Sequence, residues 1–287
     1  MGISSFFIKI SHCFLLLRSK LIYNYIWGEI MKIALFQSDI DWCNKEYNYA
    51  VAEKKISEAK KQGCRIIFFP EMSFTGFSMD TERTKESDNF TINLMSGIAK
   101  RENIAVGFGY VKDCISYCEN RYAVVDRDGK LISDYAKIHP FSYGYEGEKF
   151  KGGNHLTQYV IDGMIFSTFI CYDLRFPEIF QGLKNVPDVI VIPANWPKSR
   201  SHHWKTLLQA RAIESQCYVL GVNCVGVHDE IYYSGDTMAV DPNGEIIAVR
   251  SNIQDLLVVD INNDAYLYRE KFDVRSDRKP EFYKTLL

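Results

Sequence analysis

One α/β domain built on mixed sheets is the fold class this sequence predicts, on three observations. Short apolar runs alternate with amphipathic stretches from Met31 to about Asp260, several runs are joined by tight Gly-containing turns, and no linker, internal repeat or low-complexity segment divides them. Residues 32–37 form an apolar run of strand length. Asn44 then stands as the N-cap of a helix in which Tyr47, Ala50, Val51 and Ala59 recur at helical spacing, until Gly63 stops it. Residues 65–69 read as a second buried strand, ended by Pro70. A helix over 92–101 and a strand over 104–110 follow, after which the pattern changes to hairpins. Strands over 121–125 and 131–135 flank Asp126-Arg127-Asp128-Gly129, and strands over 159–161 and 164–170 flank Asp162-Gly163. Next come a helix over 177–183, a strand over 189–192, a helix over 201–216 and a strand over 218–224. Strands over 233–240 and 245–249 share the turn Asp241-Pro242-Asn243-Gly244, and a last strand covers 256–260. From Asn262 the chain is charged and aromatic, a helix and an arm suited to packing on something else.

Composition narrows the function. Of 287 residues, 47% are hydrophobic and 24% charged, which excludes a disordered or collagen-like chain. The length permits one or two domains, and the unbroken interleaving favours one. Lys plus Arg number 34 against 36 Asp plus Glu, a net charge of −2 that gives nucleic acid or an anionic membrane nothing to hold. A small-molecule partner is the expectation. The eight cysteines show no dense regular spacing and read as individually placed, reduced thiols. Cys114 and Cys118 lack a second Cys or His pair at ligand spacing, so no metal is expected there.

Residues 1–30 stand apart. They are rich in Phe, Ile, Leu and Tyr, yet their longest apolar stretch, residues 13–17, is bracketed by Lys9, Arg18 and Lys20. That is short of a membrane span and lacks the order of a secretory signal, and Phe6 occupies the position where myristoylation wants Ser or Thr. The expected organisation is an extension outside the fold over 1–30, as from an upstream start codon, a catalytic domain over 31–261 and a C-terminal helix and arm over 262–287, in a cytoplasmic protein.

Three residues at strand ends carry chemistry. Cys171 ends the apolar run 164–170 and precedes Tyr172-Asp173-Leu174-Arg175-Phe176-Pro177. A strand-to-helix junction presents a side chain on a sharp turn with backbone N–H groups free behind it, which suits a nucleophile, although a cysteine taken alone is more often a small buried core residue. Glu71, in Phe69-Pro70-Glu71-Met72-Ser73-Phe74, follows a buried strand among aromatic residues, where a desolvated carboxylate can act as a general base. Lys137, in Tyr135-Ala136-Lys137-Ile138-His139-Pro140, ends another strand and offers a cation to an oxyanion. Such a cation would also raise the thiolate share of a cysteine whose ordinary pKa is about 8.5. His139 invites comparison with a Cys–His pair, but it is followed by Pro140 and lies two residues from Lys137, so in a strand it shares a face with that lysine, and it is not taken as a proton-transfer residue. His202 and His203 are adjacent on a helix and cannot point the same way, against paired metal ligation.

Together Glu71, Lys137 and Cys171 resemble the Glu-Lys-Cys triad of the nitrilase superfamily, the carbon–nitrogen hydrolases. The likeness runs from Met31 to about Asp260 and includes Gln37, Asn195-Trp196-Pro197 and Arg211-Ala212-Ile213-Glu214. It implies a second glutamate after the lysine, and counting back from Gly153 places Glu146 in that role before Glu148. It also implies a four-layer α-β-β-α sandwich with mixed sheets, paired into a homodimer or higher homo-oligomer, for which Tyr266, Tyr268 and Phe272 are interface candidates. Within the superfamily the strings from Ala194 to Glu214, 218–223 and 233–236 are most similar to the omega-amidases. These hydrolyse the terminal amide of 2-oxoglutaramate or 2-oxosuccinamate through a cysteine thioester, with no metal or cofactor. The resemblance then gives Glu71 the proton transfers, Cys171 the attack, and Lys137 with the backbone N–H of Tyr172 the oxyanion, while Glu146 orients Lys137 or the water. Arg175 is the candidate for a substrate carboxylate or, alternatively, an ion-pair partner of Asp173 or Glu178 that fixes the turn. Tyr143, Tyr145 and Trp196 are candidates for the pocket wall or for plain core. A nitrile or N-carbamoyl hydrolase, and a silent binding scaffold, are the competing readings.

Overall fold

A computed structural model describes residues 30–286. The expected extension lies outside the described residues except for Ile30, which is already paired with Asn262 in the first strand. The strands are β1 (Ile30–Gln37), β2 (Ile66–Phe68), β3 (Lys85–Glu86), β4 (Ala105–Asp113), β5 (Cys118–Val125), β6 (Leu131–Ala136), β7 (Gln158–Ile161), β8 (Met164–Thr168), β9 (Val189–Ala194), β10 (Tyr218–Asn223), β11 (Val225–His228), β12 (Ile231–Val240), β13 (Ile246–Ser251) and β14 (Asp255–Asn262). The helices are α1 (Lys45–Lys61), α2 (Thr81–Thr84), α3 (Phe90–Glu102), α4 (Pro177–Gln181), α5 (Ser201–Ser215), α6 (Ala265–Lys271) and α7 (Pro280–Tyr283).

Two sheets divide the chain. The first runs β14-β1-β2-β4-β5-β6 with β3 beside β4, and the second runs β11-β12-β10-β9-β8-β7 with β13 beside β12. Each has a parallel centre, β1-β2-β4 in one and β8-β9-β10 in the other, flanked by antiparallel strands. Strand alternation explains the layers. Ile33 and Leu35 of β1 and Ile66 and Phe68 of β2 point into a core shared with Phe166, Val191 and Leu220 of the other sheet. Ala34, Phe36, Ile67 and Phe69 point the opposite way, onto Ile56 of α1 and Met95 and Ile98 of α3. A strand buried on both faces reads as an unbroken apolar run, which is why residues 32–37 carry no polar alternation. On the far side, α5 lays Trp204, Leu208 and Ala212 on the second sheet. The result is a four-layer α-β-β-α sandwich.

Asn44 caps α1 by accepting from the Tyr47 N–H at 3.3 Å, and Gly63, with φ of +82°, ends it. The buried face differs from the one the apolar spacing suggested. Asn48, Ala52, Ile56 and Ala59 are inside, whereas Tyr47 is 53% exposed and Ala50 faces solvent. The Asn48 amide reverses the expectation because it donates to the carbonyls of Asp41 and Phe74, at 2.7 and 2.9 Å. The run after Met164 stops being strand at Thr168, and the strand before Lys137 stops at Ala136, so His139 lies beyond it. Among the described residues no helix is long and apolar enough to cross a membrane.

Candidate active site

Strand ends from both sheets converge on one point. Glu71 follows β2 and Lys137 follows β6 in the first sheet; Cys171 follows β8 and Asn195 follows β9 in the second. The carboxyl ends of parallel strands are where α/β folds leave room for a ligand, because the connections splay apart there. Glu71 is carried into the interior by a turn that packs on β4. A Cβ at Gly109 would strike the backbone of Glu71 and Met72, and Met72 itself has φ of +45°. Ser73 locks that turn, its hydroxyl donating to the Pro70 carbonyl at 2.6 Å and accepting from the Gly109 N–H at 2.8 Å.

Cys171 also has a left-handed backbone, φ +46°, and opens a short 3₁₀ turn over Cys171–Arg175. Strain of this kind persists only where neighbours hold it. Asp173 supplies the hold: its buried carboxylate accepts from the Ile170 N–H (3.1 Å), the Tyr135 hydroxyl (2.8 Å), the His139 N–H (2.9 Å) and the His139 ring (2.8 Å). The His139 ring also stacks on Phe176 at 3.8 Å. His139 is therefore bonded to Asp173 and not to the thiol, and the shared strand face suggested by spacing is not what the fold makes.

Glu71, Lys137 and Glu146 form one buried cluster, each no more than 1% exposed, whereas Glu148 points to solvent. The Lys137 ammonium donates to Glu71 Oε1 and to Glu146 Oε2, both at 2.8 Å. Asn120 of β5 donates to Glu71 Oε1 at 2.8 Å and to Glu146 Oε1 at 2.9 Å, and Glu146 Oε2 also accepts from the Phe141 N–H at 2.6 Å. Asn195 donates its N–H to Glu71 Oε2 at 2.9 Å and its side-chain amide to the Glu71 carbonyl at 2.8 Å. Burial alone would push Lys137 down, but Glu146 and Glu71 overcome it and hold the ammonium protonated. The Cys171 thiol goes the other way. Burial, then Glu71, push it well above the usual thiol range, with Lys137 opposing and Glu146 assisting. Lys137 does favour the thiolate, as expected of a nearby cation, but burial and Glu71 outweigh it. The thiol is thus held toward its neutral form beside the Glu71 carboxylate.

Cys171 opens into a cavity of about 490 Å³. Trp196, 3% exposed, is a true wall; Tyr143 and Tyr145 line the rim, 81% and 69% exposed. Arg175 and Arg200 face the same cavity, Arg175 over the Trp196 ring at 4.7 Å and Arg200 over Phe141 at 5.6 Å. Among the described residues neither guanidinium has a carboxylate within 4.0 Å. The alternative ion pair of Arg175 with Asp173 or Glu178 is thus not formed; Asp173 is committed to Tyr135 and His139. Burial and then the neighbouring Arg200 push Arg175 below its ordinary value.

With this geometry in place, the sequence matches the family described as Carbon-nitrogen hydrolase over residues 32–270. The chain belongs to the carbon–nitrogen hydrolases. The Escherichia coli (strain K12) protein named Omega-amidase YafV is 32% identical over 250 residues, covering 86% of this chain and 96% of that protein. The Bacillus subtilis (strain 168) 2-oxoglutaramate amidase is 30% identical over 258 residues, covering 88% and 98%. Among solved structures, XC1258 from Xanthomonas campestris, described as a CN-hydrolase superfamily protein with an arsenic adduct in the active site, is similar with a TM-score of 0.83 and 26% identity. That match covers 88% of this chain and 98% of that chain.

Two residues of this carbon–nitrogen hydrolase site escape the sequence reading. Asn195 appears there only as part of a string, yet it ties the two sheets together at Glu71. Asn120 is absent altogether, although a signal for it exists. In β5 the positions 118, 120, 122 and 124 alternate onto the inward face, where Tyr122 and Val124 join the intersheet core, so a polar residue at 120 is a polar residue indoors. Both amides leave a buried oxygen, Asn120 Oδ1 and Asn195 Oδ1, without a hydrogen-bond partner among the described residues. Such an orphan costs about 1–3 kcal/mol, which argues that these amides serve the carboxylates and not stability.

Proposed function

We propose that this carbon–nitrogen hydrolase is a cytoplasmic omega-amidase, hydrolysing the terminal amide of 2-oxoglutaramate or 2-oxosuccinamate to the 2-oxo dicarboxylate and ammonia. The observation that carries this reading is the pair of arginines without carboxylate partners, Arg175 and Arg200, in the cavity that Cys171 opens into. Two half-buried cations lining the cavity of a thiol suit an amide whose other end is an anion. The names of the relatives agree with it.

The geometry supports the following course. Glu71 takes the thiol proton as the Cys171 sulfur attacks the amide carbon. An ammonium has three N–H donors, and Lys137 spends two on Glu71 and Glu146. The third is left for the tetrahedral oxyanion, joined by the N–H of Tyr172 in the first turn after the nucleophile, where helical N–H groups have no partner within the turn. Glu71 returns the proton to the departing nitrogen, and ammonia leaves a thioester on Cys171. Glu71 then deprotonates a water, which attacks the thioester, and the sulfur departs and is reprotonated. Glu146 keeps Lys137 in place throughout. Steady-state kinetics on 2-oxoglutaramate, 2-oxosuccinamate, glutamine, an N-carbamoyl amino acid and a simple nitrile test the substrate, with preference for the first two expected. Ammonia release by Cys171→Ala at the parent rate would sink the proposal. The same reading makes the chain a homodimer or higher homo-oligomer joined partly through its C-terminal segment, where Tyr266 and Phe272 are 47% and 73% exposed and Tyr268 is half-buried; sedimentation of a monomer at micromolar concentration would oppose that.

A further inference from the structure

The hydrogen bonds around Glu71 are unequal. Oε1 accepts from both Asn120 and Lys137, each at 2.8 Å, so both of its lone-pair directions are taken. Oε2 accepts from the Asn195 N–H at 2.9 Å, and the Asn195 side-chain amide lies at a long 3.5 Å. Only Oε2 keeps room for a proton. Asn120 reaches this arrangement by spending both of its amide hydrogens on carboxylates, the other going to Glu146 Oε1 at 2.9 Å. Its amide orientation is fixed by chemistry, because both neighbours on that side are acceptors. Its backbone carbonyl meanwhile accepts from the Lys137 N–H at 2.9 Å.

We infer that Asn120 is a positioning residue for the hydrolysis: with Lys137 it closes Glu71 Oε1, so that the proton of Cys171 is delivered to Oε2. The inference rests on the proposed role of Glu71 as base. It also explains why Asn120 tolerates a buried, unpartnered Oδ1. Donors spread evenly over both oxygens would let Glu71 rotate or share the proton between them. Two donors on one oxygen fix the carboxylate plane and leave the free acceptor site on Oε2.

Asn120→Leu keeps the side-chain volume and removes both donors, while the backbone bond to Lys137 does not depend on the side chain. Two readouts are measured across pH: kcat/KM for 2-oxoglutaramate, and the rate at which iodoacetamide alkylates Cys171, located by mass spectrometry. An ionised carboxylate that loses a donor is protonated more readily. The acid limb of both profiles therefore moves to higher pH by about one unit, kcat falls about tenfold, and KM stays within about threefold. Asn120→Ser, which restores one donor, falls between the two. If the leucine variant does not fold, the serine variant decides on the same limb. An acid limb that coincides with that of the parent, or a loss confined to KM, overturns the inference. If the parent alkylates normally but releases no ammonia from any amide, the amidase reading fails, and the shift of the alkylation limb still judges Asn120.

Discussion

Replacing Lys137 by Met removes one charge from the most enclosed ion cluster in the described chain and keeps a side chain of similar length. In the parent, the ammonium lies 2.8 Å from a carboxylate oxygen on each side, with all three side chains at most 1% exposed. Each contact has a gross attraction of about 6 kcal/mol at an effective dielectric constant of about 20, but desolvation of the ions cancels most of it. What the substitution costs is the stranding of Glu71 and Glu146 together in the interior, roughly 3–5 kcal/mol. For a domain of this size that lowers the melting temperature by about 6–20 °C. The deficit depends on pH with a definite sign. Two buried carboxylates without a cation cannot both stay ionised, so the folded variant binds a proton that the unfolded chain, titrating near pH 4, has released. A group that titrates higher in the folded state supports folding at low pH and loses that support as pH rises. Calorimetry at pH 5 and pH 8 reads this directly: the gap between variant and parent is expected to be larger at pH 8. A variant that melts within about 2 °C of the parent at pH 8 would refute the reasoning, because the two carboxylates would then not depend on Lys137.

Arg200→Gln is expected to raise KM for 2-oxoglutaramate about 10- to 100-fold and leave kcat within about threefold, the mark of lost ground-state binding; equal loss in both constants would place Arg200 elsewhere in the mechanism. Asp236 resists burial because Ser234, Ser251, Ser201 and Lys205 hold its carboxyl down to about 2, with hydroxyl contacts of 2.6 to 2.7 Å. Its stabilisation is present above about pH 4 and lost as pH falls toward 2. Asp236→Asn should therefore melt below the parent at pH 7 and approach it near pH 2.5, as followed by circular dichroism. A chain beginning at Met31 should be soluble and hydrolyse 2-oxoglutaramate with the parent kcat, and aggregation of that shorter chain would show that the preceding residues belong to the fold.

The strands that the sequence shows best are those buried on both faces, such as β1 and β9, since nothing but an unbroken apolar run fits there. Glu71, Lys137 and Cys171 are visible because each stands in a distinctive string, Glu146 only through its spacing from Gly153 in the resemblance, and the fold brings the four together. Asn120 is not, because the strand that the pattern predicts starts at residue 121 while the strand itself starts at Cys118. Strand β11 was missed for a chemical reason. Its hairpin turn is Asp229-Glu230, two residues with φ of +47° and +62°, where glycine or asparagine is the usual sign. The inward turn of Asn48 is not legible because its partners, Asp41 and Phe74, are loop carbonyls that no helical period announces.

The seam between the two sheets runs through the middle of the chemistry. Glu71, Asn120 and Lys137 belong to one half of the sandwich and Cys171 to the other, with Asn195 reaching across to Glu71. A chain that has folded only its first half holds a base with nothing to activate, and one that has folded only its second half holds a thiol without a base. With Glu71 as the proposed base for Cys171, amide hydrolysis requires the two halves to be docked, and a partly opened molecule keeps its thiol but not the reaction.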